Sequence, residues 1–493
     1  MIFSTERLIF LLPGTCRRSS TRASPRRLDQ RSGMSTPRDD AIATTSSPLE
    51  PEVAPPKPRT CVVVLGDFGR SPRMMYHALS LVAAGRAVDV ISYGGSAPIY
   101  DLTHNPDVRL RTVTRGEFAA LARAPAAMRL LARAVAQLIH LLYLLMTIER
   151  PREVLVQSPP CVPTFAACGA ACAMRGAELV IDWHNLAYTL FGLKYGETSF
   201  MTRMCRWYER RLGKAFGKKH MCVTDAMRTF LETEWKLKNV TVVKDRAAEY
   251  FRVAAREAAN AGSLLDFWTA PHIVAELTAS PVARRGDVLD RVLQGEHENS
   301  WHNKPRFIIS STSWTPDENF GVLLDAAIVY NERKRASGGA SSKKYPDLVI
   351  IITGKGPQKT IYEEKILALS LEHVAFRTVW LDIGDYPRAL ANVHLGVSLH
   401  TSSSGLDLPM KVVDMFGAAL PVAAARYDVL SELVEEGVNG VMFSDANELV
   451  DYFGKLLTHD TKMTLFALKV GAARWGEQTW KDNWNEHAAP LFK

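Results

Sequence analysis

Four short stretches of this sequence combine residue types that do chemistry together, and each falls where a strand-like run ends. The first is LGDFGRSPRMMYHA, residues 65–78. Gly66 and Gly69 permit a tight turn and a close backbone approach. Amides at the start of the following helix can hold an oxyanion, and Arg70 and Arg73 add forked donors that match phosphate oxygens. The glycines stand three apart and a third is missing, so this is not the dinucleotide fingerprint. The plain alternative is a tight strand-to-helix turn with solvated arginines. The second stretch is VIDWHNLAY, residues 180–188. Strand alternation puts Asp182 and His184 on one face and Trp183 on the other. A carboxylate beside a histidine orients the ring and makes it more basic; otherwise His184 and Asn185 simply cap a turn.

In the third stretch, IITGKGPQ at 351–358, Gly354 and Gly356 flank Lys355 and Pro357 opens a helix. The fourth is LHTSSSGLDLPMKVVDMFGAALPV, residues 399–422. Thr401, Ser402, Ser403, Ser404 and Gly405 make a loop of donors, and Pro409 suits a first helical turn. Lys411 then lies where the helix dipole is already positive, which disfavours a cation. A bound anion reverses that sign, so the helix amides and Lys411 are suited to a diphosphate. Asp414 follows on the same face, where a carboxylate can accept two adjacent hydroxyls such as a ribose offers. The alternative is a surface ladder of Asp407, Lys411 and Asp414 at helical spacing.

The elements that must position these loops alternate regularly. From residue 60 the order strand, helix, strand recurs through TCVVVLGD, SPRMMYHALSLVAAG, AVDVISY, EVLVQ and ELVIDWHN. A second alternation starts at RFIISSTSW and runs through VIIITGKGP, VAFRTVW, VHLGVSL and PVAAA. Such patterns predict an α/β chain of two doubly wound Rossmann-like domains with parallel sheets, their ligands lying off the carboxyl ends of the strands. The expected division is a disordered or targeting tail at 1–58, a first domain at 59–251, a variable linker or insertion at 252–304, a second domain at 305–470 and a helix at 471–493 crossing back onto the first domain.

With 47% hydrophobic and 23% charged residues the chain has a globular balance, and its net charge of +8 suits anionic partners. No Lys/Arg stripe interleaved with exposed aromatics is present, which argues against nucleic acid. The seven cysteines are odd in number and lack CxxC pairs, which argues against a disulfide framework and a zinc site. No DxD-like pair occupies a suitable loop, so neither a metal nor another cofactor is expected. AAMRLLARAVAQLIHLLYLLMTI, residues 126–148, reads as an apolar helix with one polar stripe of Arg129, Arg133, Gln137 and His140. It can lie in a membrane interface with that stripe wet or against phosphates, or pack on a sheet with the stripe toward solvent.

With these residues assembled, the chain resembles the GT-B glycosyltransferases, and more narrowly the chitobiosyldiphosphodolichol beta-mannosyltransferases of the endoplasmic reticulum. LGDFGRSPRMMYHALSL, VIDWHN, SSTSWTPDENF, ITGKGP and HTSSSGLDLPMKVVDMFG carry the resemblance, over roughly residues 60–251 and 305–460. It implies two such domains facing a central cleft, and inverting transfer of mannose from GDP-mannose to diphosphodolichol-linked chitobiose through a β-1,4 link. The endoplasmic reticulum membrane, with the catalytic domains on the cytosolic side, would be the setting. Other early transferases of that pathway would be partners.

One phosphate-binding site would then lie in each half. Gly66, Gly69, Arg70 and Arg73 would serve the lipid acceptor. Gly354, Lys355, Gly356, Thr401, Ser402, Ser403, Gly405 and Lys411 would serve the donor, with Asp414 on its ribose. The base would be Asp67 or His184, a choice the residues leave open. The chain departs from the family pattern in carrying Asp317 and Glu318 where retaining GT-B relatives often place a basic residue. It also carries Lys244 and Ala247 where a Tyr and a Pro are usual. Transferases with another nucleotide sugar, and a non-catalytic diphosphodolichol-binding scaffold, are the competing readings.

Overall fold

Aliphatic runs without polar alternation make strands buried on both faces, and such strands assemble into parallel sheets covered by helices. The computed structural model describes residues 56–115, 123, 125–295, 304–316, 318–337, 345–458 and 462–493. Contacts divide the chain into Met1–Pro56, of which Pro56 is described, and Lys57–Lys493, which holds both sheets. The expected tail therefore lies outside the described residues apart from 56–58.

The first sheet contains β1 (Arg59–Asp67), β2 (Ala87–Tyr93), β3 (Val108–Thr112), β4 (Glu153–Ser158), β5 (Glu178–Trp183), β6 (Gly217–Cys222) and β7 (Val240–Val242). Their order is β3-β2-β1-β4-β5-β6-β7, with every neighbour parallel. The second contains β8 (Arg306–Ser311), β9 (Leu348–Thr353), β10 (Val374–Val379), β11 (Leu395–Ser398), β12 (Val422–Ala425) and β13 (Gly440–Phe443). It repeats the pattern as β10-β9-β8-β11-β12-β13, again parallel. Each order reverses once, between β1 and β4 and between β8 and β11, and a crevice forms at the carboxyl ends there. These are the doubly wound Rossmann-like domains that the alternation predicts.

Within residues 252–304, expected as a variable linker or insertion, the described part is helical and packed. Helices Glu249–Asn260, Leu265–Trp268, Pro271–Thr278 and Val288–Leu293 occupy the described part of this stretch. They bury Phe251, Trp268, Ile273 and Leu289 in one core with Phe307 and Ile309 of β8 and Ile351 of β9. Trp268 stacks on Phe307 at 5.6 Å, and its indole donates to the Asn392 carbonyl at 2.7 Å. The stretch is short of long-period signal because its helices are brief and individually marginal; packing on the sheet makes them stable.

The long helix Ala126–Thr147 is also turned differently from either expectation. Gln137 is buried and donates to the Tyr93 hydroxyl at 2.7 Å, and His140 Nδ1 accepts from the Thr114 amide at 3.0 Å. Leu141, Leu145 and Ile148 pack inward beside them, while Leu131, Val135, Ile139, Tyr143 and Met146 are exposed. The C-terminal half of the polar stripe, Gln137 and His140, thus faces the protein while Arg129 and Arg133 stay exposed, and much of the apolar surface faces out.

At the chain's end, helix Lys462–Gly476 packs on the second domain, Trp475 meeting Phe416 at 5.3 Å. Residues 480–492 then lie on the first. Trp480 donates to Ser80 Oγ at 3.0 Å, Trp484 to His77 Nδ1 at 3.0 Å, and Arg86 and Lys219 reach the carbonyls of Phe492 and Leu491 at 2.6 Å each.

Replacing Trp268 by alanine should destabilise the second sheet by about 3–5 kcal/mol, the usual cost of removing a buried aromatic. Denaturant unfolding followed by near-UV circular dichroism checks this. A change within about 0.5 kcal/mol, as for a surface substitution, would return residues 252–295 to linker status.

Candidate functional site

β5 runs out at Asp182 and Trp183, and the strand's alternation sends them opposite ways. Trp183 enters the core, edge-on to Phe165 at 5.4 Å and Trp235 at 5.5 Å. Asp182 is wholly buried on the other side. Its carboxylate receives Arg73 twice, Nε at 2.8 Å and Nη2 at 2.9 Å, and His184 Nε2 at 2.8 Å; His77 Nε2 lies 3.2 Å away. Burial pushes the Asp182 carboxyl up, but Arg73 and His184 outweigh it and hold it well below the ordinary carboxylate range. Because Trp484 donates to Nδ1 of His77, that ring carries its proton on Nε2, toward Asp182. Burial lowers the His77 pKa and keeps the ring neutral. In neutral His184 the proton sits on Nε2, which leaves the Nδ1 lone pair to take a proton from elsewhere.

The loop that carries His184 and Asn185 is braced from behind. Glu209 is buried and accepts from the amides of Ala187 at 2.8 Å and Tyr188 at 3.2 Å, the first residues of helix Ala187–Tyr195. Burial raises its pKa to about 7. Among the described residues it also forms, with Cys161 and Cys205, a buried group of ligating types, but its oxygens already serve those amides.

After β1, the expected phosphate loop is tied mostly to the protein. Asp67 accepts from the Ser96 amide at 3.1 Å and the Ser96 hydroxyl at 2.9 Å, stapling the turn after β2. Gly69 is needed for the same approach, since a Cβ there would meet the Ser96 carbonyl oxygen at 2.4 Å; its close contact is with this turn. Gly66 meets nothing nearer than Val64, at 3.7 Å. Arg70 is exposed beside Asp67, at 3.5 Å. Arg73 corrects the expectation of a solvated or phosphate-facing fork. It is buried, and besides Asp182 it donates to the Val243 carbonyl at 2.7 Å and to Asp245 at 2.9 Å.

In the second domain the loops after β8, β9 and β11 converge. Gly354 has φ of 145°, and a Cβ on Gly354 or Gly356 would stand 1.8 Å from the carbonyl oxygens of Thr312 and Ser313, so only glycine lets these loops touch. Lys355, between them, lies 4.0 Å above the Trp380 ring. Helix Met410–Gly417 begins with Pro409 as its cap, which places Lys411 in the first turn. Glu318 answers that misplaced cation. It is buried, accepts from Thr312 Oγ1 at 2.6 Å and the Ser313 amide at 2.7 Å, and pairs with Lys411 Nζ. Its backbone bridges to His400 at the end of β11. Asp317 lies outside the described residues. The Asp407–Lys411–Asp414 ladder does not form among these contacts: Asp407 instead accepts from Ser402 and, at 3.1 Å, Ser404. Gly405 turns this loop with φ of 69°, and Thr401 is exposed beside it.

The two sheets' loops meet. Asn185 donates to Ser403 Oγ at 3.2 Å, Thr224 to the Leu406 carbonyl at 2.6 Å, and Glu432 accepts from the amides of Asp225 and Ala226 at 2.8 and 2.7 Å. Thr224 also caps helix Asp225–Thr233, its side chain accepting from the Met227 amide at 3.0 Å. Asp414 is partly buried and faces first-domain charge. Burial and then Asp245 push its pKa up to about 8, against the pull of Lys411. Tyr76, Tyr250 and Tyr386 each register its charge. The arrangement sets a proton-accepting imidazole on one side of a gap. On the other side are a helix N-terminus with a lysine, a hydroxyl loop and a carboxyl able to take a diol. Asp245 and Glu432 escaped the reading of the sequence, and Glu318 entered it only as a residue standing where a basic one is common, since each acts on a residue far along the chain.

Paired doubly wound domains with facing strand-end loops define a GT-B glycosyltransferase, and residues 310–459 match the family described as Glycosyl transferases group 1. Among solved structures, Anabaena Alr3699/HepE in complex with UDP superposes with a TM-score of 0.56 at 14% identity, over 88% of this chain and 99% of that one. Sucrose-phosphate synthase from Thermosynechococcus elongatus gives 0.55 at 11% identity, over 88% and 98%; both share the fold. UDP-glycosyltransferase TURAN of Arabidopsis thaliana is 41% identical over 88% of this chain and 97% of its own length. Chitobiosyldiphosphodolichol beta-mannosyltransferases of Mus musculus and Homo sapiens are each 36% identical over 87% of this chain and 88% and 91% of theirs. The chain belongs to the chitobiosyldiphosphodolichol beta-mannosyltransferase family.

The raised pKa of Asp414 has a consequence for stability. A carboxyl that holds its proton more tightly folded than unfolded makes the folded state lose ground as pH climbs from about 4 toward 8. Asp414→Asn should therefore gain Tm relative to the parent by a few degrees between pH 5 and 8.5, within the range one charge commands in calorimetric scans. A constant offset across that window would show that Asp414 is ionised throughout.

Proposed function

We propose that this enzyme transfers mannose from GDP-mannose to chitobiose on diphosphodolichol, forming a β-1,4 link with inversion, at the cytosolic side of the endoplasmic reticulum membrane. The observation that carries the chemistry is the pairing across the gap: His184 held by Asp182 on one side, and Lys411 held by Glu318 at a helix N-terminus on the other. His184 Nδ1 takes the acceptor hydroxyl proton while its oxygen bonds to the anomeric carbon, opposite the leaving group. The bond from that carbon to GDP breaks, and its electron pair moves to the diphosphate. The helix amides, Lys411 and the 402–405 hydroxyls stabilise the charge that develops there. Asp414, which keeps its proton up to a pH of about 8, can meet the ribose diol with both functions of its carboxyl, the O–H donating to one hydroxyl and the carbonyl oxygen accepting from the other. Asp67, already occupied by Ser96, shapes the acceptor loop, and Arg73 acts through Asp182.

His184→Gln should lower kcat about 10²–10⁴-fold with KM nearly unchanged, while Asp67→Asn should cost less than about tenfold. The reverse order, measured with GDP-mannose and a phytanyl-diphosphate chitobiose acceptor, assigns the proton to Asp67. Lys411→Ala in the same assay should cost about 10²–10³-fold in kcat, as loss of a charge-stabilising donor does. The relative named as a UDP-glycosyltransferase motivates a second reading, with a UDP-sugar as donor. Faster transfer from UDP-GlcNAc or UDP-glucose than from GDP-mannose would establish it and overturn the first.

A further inference from the structure

Three side chains with metal-ligating atoms meet behind the loop that carries His184. Cys161 stands in the segment after β4, and Cys205 and Glu209 stand one turn apart on one face of helix Phe200–Phe216. All three are buried, at 1%, 4% and 0% exposed, and one ligand atom from each lies within 4.8 Å of the others. The two sulfurs are 4.0 Å apart. Two thiolates on a tetrahedral zinc ion stand about 3.8 Å apart, because each Zn–S bond is about 2.3 Å, so this pair is already near chelating distance. Phe165, Leu186 and Ala187 belong to the same core cluster, which keeps the corner dry. Cys161 and Cys205 are 44 residues apart, so no CxxC spacing marks them in the sequence.

We propose that Cys161, Cys205 and Glu209 form a structural site for a thiophilic divalent cation, zinc above all. Two sulfurs select a soft or borderline ion over magnesium or calcium. Glu209 can join them without releasing the loop it braces. A carboxylate offers roughly four lone-pair sites. Three meet donors: on Oε1 the Ala187 amide at 2.8 Å and Ser158 Oγ at 3.3 Å, and on Oε2 the Tyr188 amide at 3.2 Å. The remaining site, on Oε2, is left for the ion. The buried Ser158 hydroxyl offers a further oxygen beside it. The first amides of helix Ala187–Tyr195 point at this carboxylate, and the positive end of that helix offsets the surplus negative charge of two thiolates and a carboxylate around one divalent ion. On binding, each thiol gives its proton to solvent as its sulfur bonds to the ion, and nothing is oxidised or reduced. The ion then staples the segment after β4 to helix Phe200–Phe216 and, through Glu209, to the helix that follows His184. This binding does not depend on the reaction proposed above.

The test is titration of the full chain, reduced and freed of metal by a chelator, with zinc chloride alone. Cobalt(II) serves as a spectroscopic probe and magnesium as a hard-ion control. One zinc ion should bind per chain and release two protons at about pH 8. Cobalt should bring a thiolate-to-metal absorption band in the near ultraviolet, which reads the sulfur pair without any variant. Zinc should raise Tm by a few degrees, as a ligand held only by the folded state does. Cys161→Ala and Cys205→Ala should each weaken binding at least about 100-fold, more than the roughly 10–100-fold cost of changing a ligand's neighbour, and remove the gain in Tm. Glu209→Gln, which keeps an oxygen for the amides, should weaken it about tenfold or more. Cys172→Ala should leave binding as it is, since Cys172 neighbours Cys168 in another part of the core. Circular dichroism in chelator confirms that each variant folds, and either cysteine variant suffices if the other does not. Cobalt binding without a thiolate band, equal affinity for magnesium, or binding untouched by the cysteine variants overturns the proposal and makes the ion adventitious.

Discussion

A single buried carboxylate organises the first domain's side of the site. Asp182 has no water to solvate its charge, so its oxygens must be met by donors, and Arg73 and His184 supply hydrogen bonds while His77 closes the cage. Each partner ties in another element. Arg73 reaches the segment after β7 through Val243 and Asp245, and His77 is fixed by Trp484 from the last turn of the chain. Removing one partner would strand a buried charge at a cost of about 3–5 kcal/mol, which is why the cluster is rigid. Rigidity is what an acid–base group needs, because a proton moves only across a well-defined short distance.

The second domain uses a related device. Lys411 sits at the wrong end of a helix for a cation, and Glu318, buried and hydrogen-bonded by the loop after β8, compensates it. The Lys411 ammonium has three N–H donors and gives Glu318 one pairing, so on the proposed function it is already aimed when a diphosphate enters this corner. Glu318 standing where a basic residue is common is then a redistribution: the loop contributes the carboxylate and the helix contributes the cation.

Between the two halves, hydrogen bonds and repulsion act together. Asn185, Thr224 and Glu432 link the loops across the gap, while Asp414 is pushed toward protonation by Asp245 on the other side. A change in the separation of the sheets would alter that repulsion directly, so domain approach and the Asp414 proton are coupled quantities. Away from the gap, the helix at Ala126–Thr147 shows how burial sorts a mixed sequence. Its glutamine finds a tyrosine inside, and its surplus of apolar residues is left outside.

Much of this architecture was legible along the chain. β9 is hydrophobic from Leu348 to Ile352, and clusters of polar, glycine or proline residues mark the strand ends where the loops at 65–78, 180–188, 351–358 and 399–422 stand. Lys411 announced itself by conflicting with its own helix, a contradiction that local electrostatics makes visible. What the sequence alone determined was therefore the alternation of elements and the residue types at their ends, because periodicity and capping depend on near neighbours. Only the tertiary structure decided which charges met. It turned Arg73 inward, occupied Asp67 with Ser96, gave Lys411 to Glu318, drew residues 252–295 into the second core and turned half of the long helix's polar stripe inward. Those outcomes depend on groups scores to hundreds of residues apart competing for the same buried space, and burial has no sequence period.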